Sequence, residues 1–185
     1  KPLARKGQLY FGWGWNRAHY SNSDIHFTGD NYDFTLLDVS ANDRQSEFDV
    51  ELYFTPNTIT IPQTNMRLGY FLTDKVAISL GVDHMKYVMF QDKAVNLSGY
   101  YPKYGSYGEV LSNNQTLLTE DFLTFEHTDG LNYIHAEVSR FDDVSKLFTI
   151  GNTDKIQINL TEGIGGGLIY PKTNAKILGK ERHDD

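Results

Sequence analysis

Residues 65–90 read NMRLGYFLTDKVAISLGVDHMKYVMF, and two alternating runs meet there across the polar break at 73–75. Large apolar side chains fill every second position: Met66, Leu68, Tyr70, Leu72, Val76, Ile78, Leu80 and Val82. The other face is small or polar and carries both charges, on Arg67 and Asp83. A period of two over neighbouring runs predicts an antiparallel hairpin with one apolar face. A soluble sandwich buries such a face, whereas a membrane barrel turns it to lipid around a polar lumen.

The same pattern occurs near the start of the chain, in residues 8–21. Leu9, Phe11, Trp13 and Trp15 share one face, opposite glycines and amides. Because the chain has 2 tryptophans, this strand holds both of them. Paired tryptophans on a strand exposed to water favour aggregation. The pattern therefore favours a strand that faces lipid or packs against a second sheet.

Alternation of this kind predicts strands at approximately 8–21, 63–72, 76–90, 131–141 and 155–170. The segment 21–62 is predicted as a long acidic loop with some strand character. The segment 91–130 is predicted as a second long excursion, with a hairpin turn at Asp129 and Gly130. We expect no strand in 176–185.

The connections between these strands alternate between long and short. Outer-membrane barrels show this asymmetry, because their periplasmic turns are short and their external loops are long. The sequence therefore predicts an all-β, antiparallel, up-and-down transmembrane barrel with long extracellular loops, as a single domain over 1–185.

Composition excludes several classes of function. The net charge of −7 and the lack of a basic stripe argue against nucleic-acid binding. The absence of cysteine excludes disulfides, thiolate metal sites and a cysteine nucleophile. The histidines lack metal-ligand spacing, and the glycine-rich run 163–167 matches no phosphate-binding loop. We expect neither a metal nor another cofactor.

Two segments, QLYFGWGWN at 8–16 and MRLGYF at 66–71, carry a family resemblance. The chain resembles the small outer-membrane β-barrel proteins of Gram-negative bacteria, especially uncharacterised members of about eight strands. The resemblance implies location in the cell outer membrane after removal of a signal peptide. It also implies contact with outer-membrane lipid and lipopolysaccharide, and with other outer-membrane or surface proteins. Since the strands predicted here are too few to close such a barrel, we expect the chain to be its N-terminal part.

The barrel hypothesis assigns each face of the predicted strands. The lipid-facing set is Leu9, Phe11, Trp13, Trp15, Met66, Leu68, Tyr70, Leu72, Val76, Ile78, Leu80 and Val82. A polar network in the lumen is assigned to Arg67, Asp83, His135 and Glu137. The hairpin register places Arg67 opposite Gly81, with Asp83 as its diagonal neighbour. Because a small barrel has little room inside, these charges are interpreted as filling the lumen rather than lining a pore.

Three functions are compatible with these patterns. The first is a structural, accessory or surface-interaction role, in which external tyrosines at 100, 101, 104 and 107 (Tyr100, Tyr101, Tyr104 and Tyr107) contact a partner. The second is a membrane-lipid hydrolase resembling lipid A deacylases, with His19 and Ser21 as catalytic residues and Asp24 or Glu137 orienting the histidine. The third is a soluble β-sandwich or lipocalin-like binder, in which Leu9, Phe11, Trp13, Ile78 and Leu80 would lie inside.

Overall fold

A computed structural model describes residues 4–44, 63–102, 107, 114–151 and 156–183. These residues form antiparallel sheets, so the prediction of an all-β, antiparallel protein is confirmed. The sheets do not close into a barrel. The strands are β1 Leu9–Trp15, β2 Ser23–Gly29, β3 Tyr32–Val39, β4 Ala41–Asn42, β5 Thr64–Phe71, β6 Val76–Met89, β7 Ala94–Tyr100, β8 Gln115–Leu117, β9 Leu123–Asp143, β10 Asn159–Pro171, β11 Asn174–Ile177 and β12 Lys180–His183. A short 3-10 helix spans Ser145–Phe148.

The chain divides into two compact units, to which β6 and β9 both contribute. The first unit comprises Lys1–Asn16, Thr64–His84 and Asn132–Tyr170. The second unit comprises Arg17–Gln63, Met85–Leu131 and Pro171–Asp185. Each of the two has its own arrangement of polar and apolar side chains, so they are described separately.

The sheet of the first unit has the strand order β1-β5-β6-β9, and β10 pairs with the outer side of β9. The β5–β6 hairpin forms as predicted, with Arg67 opposite Gly81. Its tight turn is held by the Thr73 hydroxyl, which accepts hydrogen bonds from the backbone N–H groups of Lys75 and Val76. Each of the five predicted strands overlaps one strand of this sheet.

The second unit has a conventional apolar interior. A four-stranded sheet of order β2-β3-β7-β8 contributes much of this core. Phe34 lies at its centre, with its ring 5.4 Å from that of Phe27 and 5.8 Å from that of Phe122. Phe34 and Phe122 are almost completely buried. Burial of this apolar surface stabilises the unit in water.

The two long predicted excursions differ most from the structure. The first predicted strand ends at Trp15 instead of continuing to residue 21, and β2, β3 and β4 lie in the segment predicted as an acidic loop. The rest of that segment, 45–62, lies outside the described residues. The second excursion contains β7 and β8. β7 pairs with β3 across a long sequence separation, which local alternation does not reveal.

Two predicted turns and ends are also corrected. Asp129 and Gly130 lie inside the 21-residue strand β9 rather than in a hairpin turn. The reason is tertiary pairing, since the Lys172 N–H donates to the Gly130 carbonyl and β11 continues along the same edge. The tail predicted to lack strands contains the β11–β12 hairpin. Its turn residues Leu178 and Gly179 both have positive φ, as a type I′ turn requires.

Candidate membrane-facing site

The first unit reverses the usual distribution of side chains between surface and interior. Along β6, Ala77 and Ser79 are 0% and 6% exposed, whereas Ile78 and Leu80 are 43% and 70% exposed. A strand that packs on a soluble core would bury its leucine and isoleucine and expose its serine. The alternation predicted from the sequence is therefore present, with the large apolar side chains on the accessible face.

This accessible apolar face extends over the whole sheet of the first unit. Nine of the predicted lipid-facing residues are exposed: Leu9, Phe11, Trp15, Leu68, Tyr70, Leu72, Ile78, Leu80 and Val82. Trp13, Met66 and Val76 are half-buried. Further exposed apolar side chains extend the face: Ile134, Val138, Leu160, Ile164 and Leu168. An apolar surface of this extent is unusual on a soluble monomer and marks an interaction site.

A shallow groove of about 460 Å³ runs across this apolar face. Its walls are almost entirely apolar, with Leu68, Tyr70, Ile78 and Leu80 on one side and Ile164 on the other. Ala136, between Ile134 and Val138, also lines it. The surface is therefore shaped to accept apolar groups and offers them few polar partners.

The opposite face of the sheet is concave at one end. The ring of Tyr10 on β1 lies 5.4 Å from that of Phe71 and 6.0 Å from that of Phe141 on β9. In a flat sheet, β1 and β9 would be about 14 Å apart, because two other strands lie between them. The aromatic rings converge, so we infer that the sheet curls toward this face and that the apolar face is the convex one.

Arg5 connects the two edges of the curled sheet. Its guanidinium donates hydrogen bonds to the side-chain oxygens of Gln157, at 2.6 Å, and Asn159, at 2.5 Å. It also lies 5.6 Å from the Phe71 ring centroid and 5.7 Å from that of Phe141. Arg5 precedes β1, whereas Asn159 begins β10 at the other edge of the sheet. These contacts close one end of the concave face.

The backbone around Arg5 is held by the turn between β5 and β6. One carboxylate oxygen of Asp74 accepts hydrogen bonds from the N–H groups of Lys6, at 2.9 Å, and Arg5, at 2.8 Å. These hydrogen bonds, first that from Lys6 and then that from Arg5, lower the pKa of Asp74. The ionised carboxylate therefore holds the backbone at Arg5, the residue whose side chain extends to β10.

The predicted lumen charges come together on the concave face. Arg67 and Asp83 form a bidentate ion pair, with nitrogen–oxygen distances of 2.6 and 3.2 Å. The Nε2 atom of His135 lies 3.6 Å from Asp83, and the Tyr133 ring stacks on the His135 imidazole. Gly81 is required here, because a Cβ atom at this position would collide with His135 and Arg67. The side chains fill the space over Gly81.

Glu137 forms a separate polar contact further along β9. It accepts a hydrogen bond from the hydroxyl of Ser139. Alternate residues on a strand are about 6.6 Å apart, so the two side chains must lean toward one another to make this contact. A Cβ atom at Gly163 on β10 would collide with Glu137. The glycines of β10 thus leave room for the polar side chains of its neighbour.

The predicted hydrolase residues lie outside the strands of the structure. His19 and Ser21 lie in the irregular segment between β1 and β2, both exposed, and not on a strand beside the tryptophans. No hydrogen bond joins them among the residues that the structure describes. Leu9 and Leu80, which the lipocalin-like alternative places inside, are each 70% exposed.

The tyrosines predicted to contact a partner differ in exposure. Tyr100 is 60% exposed, but Tyr101 is 4% exposed and belongs to the core of the second unit. Tyr107 packs against that core. Tyr104 lies outside the described residues. Within the described ranges, only Tyr100 among the four is freely accessible.

No group of three or more potential metal ligands occurs among the described residues. In the same part of the chain, no helix is sufficiently long and apolar to cross a membrane. No protein-family model, curated protein or solved structure matches the chain.

Sequence reasoning missed the closure of the concave face by Arg5, Tyr10, Phe71 and Phe141. A signal was present for the aromatic residues, since Tyr10 and Phe71 interrupt otherwise small or polar faces near strand ends. No local signal indicated Arg5, whose partners are 152 and 154 residues away in sequence.

Proposed function

We propose that the first unit is a membrane-embedded β-sheet that forms part of the wall of a transmembrane β-barrel in a bacterial outer membrane. In this proposal the convex apolar face contacts lipid acyl chains, and the concave face carries the polar interior. The observation that carries it is the inverted burial on β6, where leucine and isoleucine are accessible and serine and alanine are not. Such a face is stable in hydrocarbon and unfavourable in water.

The charge cluster supports a structural role for this wall rather than a wide channel. Arg67 and Asp83 form an ion pair over Gly81 with His135 beside it, and the aromatic rings with Arg5 occupy the end of the concave face. Buried charges are tolerated where they are paired and hydrogen-bonded. The protein therefore acts as a membrane-anchored structural or surface component, and its second unit, with an internal apolar core, requires no lipid.

Tryptophan fluorescence tests this proposal, since both tryptophans lie on β1 of the first unit. The purified chain is folded into liposomes, with and without bromine atoms on the lipid acyl chains. We expect the emission to shift to the blue and to be quenched by the brominated lipid, because Trp15 is exposed on the apolar face. A soluble aqueous quencher serves as the control. If the emission of the folded protein were quenched by the aqueous quencher and not by the brominated lipid, the membrane assignment would be wrong.

A further inference from the structure

Two charged side chains lie at the end of the apolar face, beside the short turn at 73–75. They are Arg140 on β9 and Glu162 on β10, and both are exposed. Arg140 is two residues from Val138, and Glu162 is two residues from Ile164. Alternate residues of a strand share a face, so each charge lies on the same side of the sheet as these apolar side chains. The apolar face therefore carries charges of both signs at this end.

The register between β9 and β10 places the two charges side by side. A Cβ atom built at Gly163 would lie beside the Ser139 hydroxyl, and one built at Gly167 would lie beside His135. Residue numbers rise along β10 as they fall along β9, as expected of antiparallel neighbours. The residue before Gly163 is therefore opposite the residue after Ser139, and these are the two charged residues. Side chains in such a position are direct cross-strand neighbours.

Arg140 nevertheless extends toward a different carboxylate. Its guanidinium donates two hydrogen bonds to Asp142, at 2.7 and 3.2 Å, and the Lys75 ammonium lies 3.3 Å from the same carboxylate. Within the described ranges, Glu162 forms no ion pair, although its charge acts on Arg140. Two of the five guanidinium N–H groups are used, so the remaining three can bind an acceptor from outside the protein.

A pocket of about 320 Å³, called the end pocket below, lies at these charges. Its apolar wall is formed by Val76, Val138 and Ile164, and its polar part includes Arg140 and Glu162. Val138 and Ile164 also line the apolar groove described above. The end pocket and the groove are therefore continuous, and together they lead from an apolar surface to a separated cation and anion.

The charges lie at the boundary of an apolar band. On β9 this face runs from Arg140 through Val138, Ala136 and Ile134 to Asn132, which is polar again. Eight residues of strand extend about 27 Å, comparable with the apolar band of about 25 Å on outer-membrane barrels. In a membrane, the end pocket would therefore lie at the level of the lipid headgroups and the groove at the level of the acyl chains.

We propose that the end pocket and the groove bind one phospholipid with an ethanolamine headgroup. The phosphate accepts hydrogen bonds from Arg140, the ammonium donates to the Glu162 carboxylate, and an acyl chain occupies the groove. This inference rests on the proposed membrane function, because the site opens on the face assigned to lipid. It adds that one headgroup is selected over others.

The charge balance of the site favours a zwitterionic headgroup. Lys75 and Arg140 carry two positive charges, and Asp142 and Glu162 carry two negative charges. An anionic headgroup such as glycerol phosphate would have no cation to place beside Glu162, and its negative charge would be repelled there. A headgroup with one phosphate and one ammonium meets a group of opposite charge at each end.

The lining of the end pocket also favours a primary ammonium over choline. A primary ammonium has three N–H donors, which suit a carboxylate such as that of Glu162. The quaternary ammonium of choline has none, and proteins recognise it with aromatic rings. Among the described residues that line the end pocket, none is aromatic. The site therefore distinguishes ethanolamine from choline through one carboxylate.

Native mass spectrometry of the purified chain tests this selectivity. The protein in non-ionic detergent is mixed with equal amounts of phosphatidylethanolamine, phosphatidylcholine and phosphatidylglycerol that have identical acyl chains, and the lipid retained on the protein is counted. We expect phosphatidylethanolamine to be retained about tenfold more than either of the others, as one additional charged hydrogen bond provides. Equal retention of the three lipids, or a preference for phosphatidylcholine or phosphatidylglycerol, would overturn the proposal.

Substitutions at Glu162 locate the selectivity. Glu162→Gln should lower the retention of phosphatidylethanolamine to that of phosphatidylcholine, and Glu162→Lys should make phosphatidylglycerol the preferred lipid. The matched control is Glu120→Gln, which removes the same charge from an exposed position in the second unit and should keep the wild-type preference. A preference for phosphatidylethanolamine that survived Glu162→Gln would show that this pocket is not its cause.

Failure of this proposal can be distinguished from failure of the membrane assignment. The same protein is folded into liposomes of phosphatidylcholine alone, with brominated acyl chains, where insertion does not depend on ethanolamine. Quenching of the tryptophans there, combined with equal retention of the three lipids, would overturn the lipid site and leave the membrane wall standing. Absence of quenching would overturn the membrane assignment and the lipid site with it.

Discussion

Replacing Leu80 with arginine distinguishes a membrane wall from a water-exposed sheet, since the two predict opposite effects. Leu80 is 70% exposed on the apolar face, pairs with Leu68 on β5 and lines the same groove as Ile164. In water, an arginine at so accessible a site improves solubility and changes stability by less than about 0.5 kcal/mol. In lipid, the same residue must carry its charge into hydrocarbon.

The magnitude follows from the exposed area and the cost of the charge. Transfer of most of a leucine side chain from water to lipid stabilises the membrane-inserted protein by about 1–2 kcal/mol. An arginine near the bilayer midplane costs about 2–4 kcal/mol. The substitution therefore opposes insertion by about 3–6 kcal/mol, which lowers the insertion equilibrium by roughly 10²- to 10⁴-fold.

The assay is flotation of the folded chain with liposomes, combined with protection from protease. We expect wild type in the membrane fraction and L80R largely in the aqueous fraction or aggregated. Tyr100→Arg is the control, because Tyr100 is also exposed, at 60%, but belongs to the second unit. If L80R floated as efficiently as wild type, or if the wild type were a folded monomer without detergent, the assignment of the apolar face to lipid would be wrong.

Three further substitutions test the concave face, each by denaturant unfolding in detergent micelles. Gly81→Ala is expected to destabilise the folded protein by about 1–3 kcal/mol, because the new methyl group collides with the charge cluster. The control Gly166→Ala is expected to be neutral, because the space around Gly166 is open. Equal effects of the two substitutions would contradict the crowding over Gly81. Arg5→Met is expected to cost about 1–3 kcal/mol through lost charged hydrogen bonds and ring contacts, and the control Lys6→Met almost nothing. Asp74→Asn is expected to destabilise the folded protein at neutral pH. The pKa of Asp74 is lower in the folded state than in the unfolded state, so its carboxylate stabilises the fold at pH values above the unfolded pKa. The difference in stability from wild type should disappear as the pH falls below about 4, and a difference independent of pH would argue against this role.

The contrast between the two units explains why some predictions succeeded. The β5–β6 hairpin was predictable to the residue, including Arg67 opposite Gly81, because a three-residue polar turn and strict alternation leave one register that keeps both apolar faces together. The second unit was not predictable in the same way. Although only two residues separate β2 from β3, β3 pairs with β7 across the long segment that contains the β5–β6 hairpin, and the polar composition around these strands resembles that of loops.

Sequence alone determined approximately where the strands of the first unit lie and which of their residues share a face. Alternation of Leu68, Tyr70, Ile78 and Leu80 with small or polar residues is a local property, since successive side chains on a strand point to opposite sides. Tertiary structure decided which face is concave, because curvature depends on contacts such as Arg5 with Asn159 that join distant parts of the chain. It also decided that the segments predicted as loops build a second unit with its own apolar core.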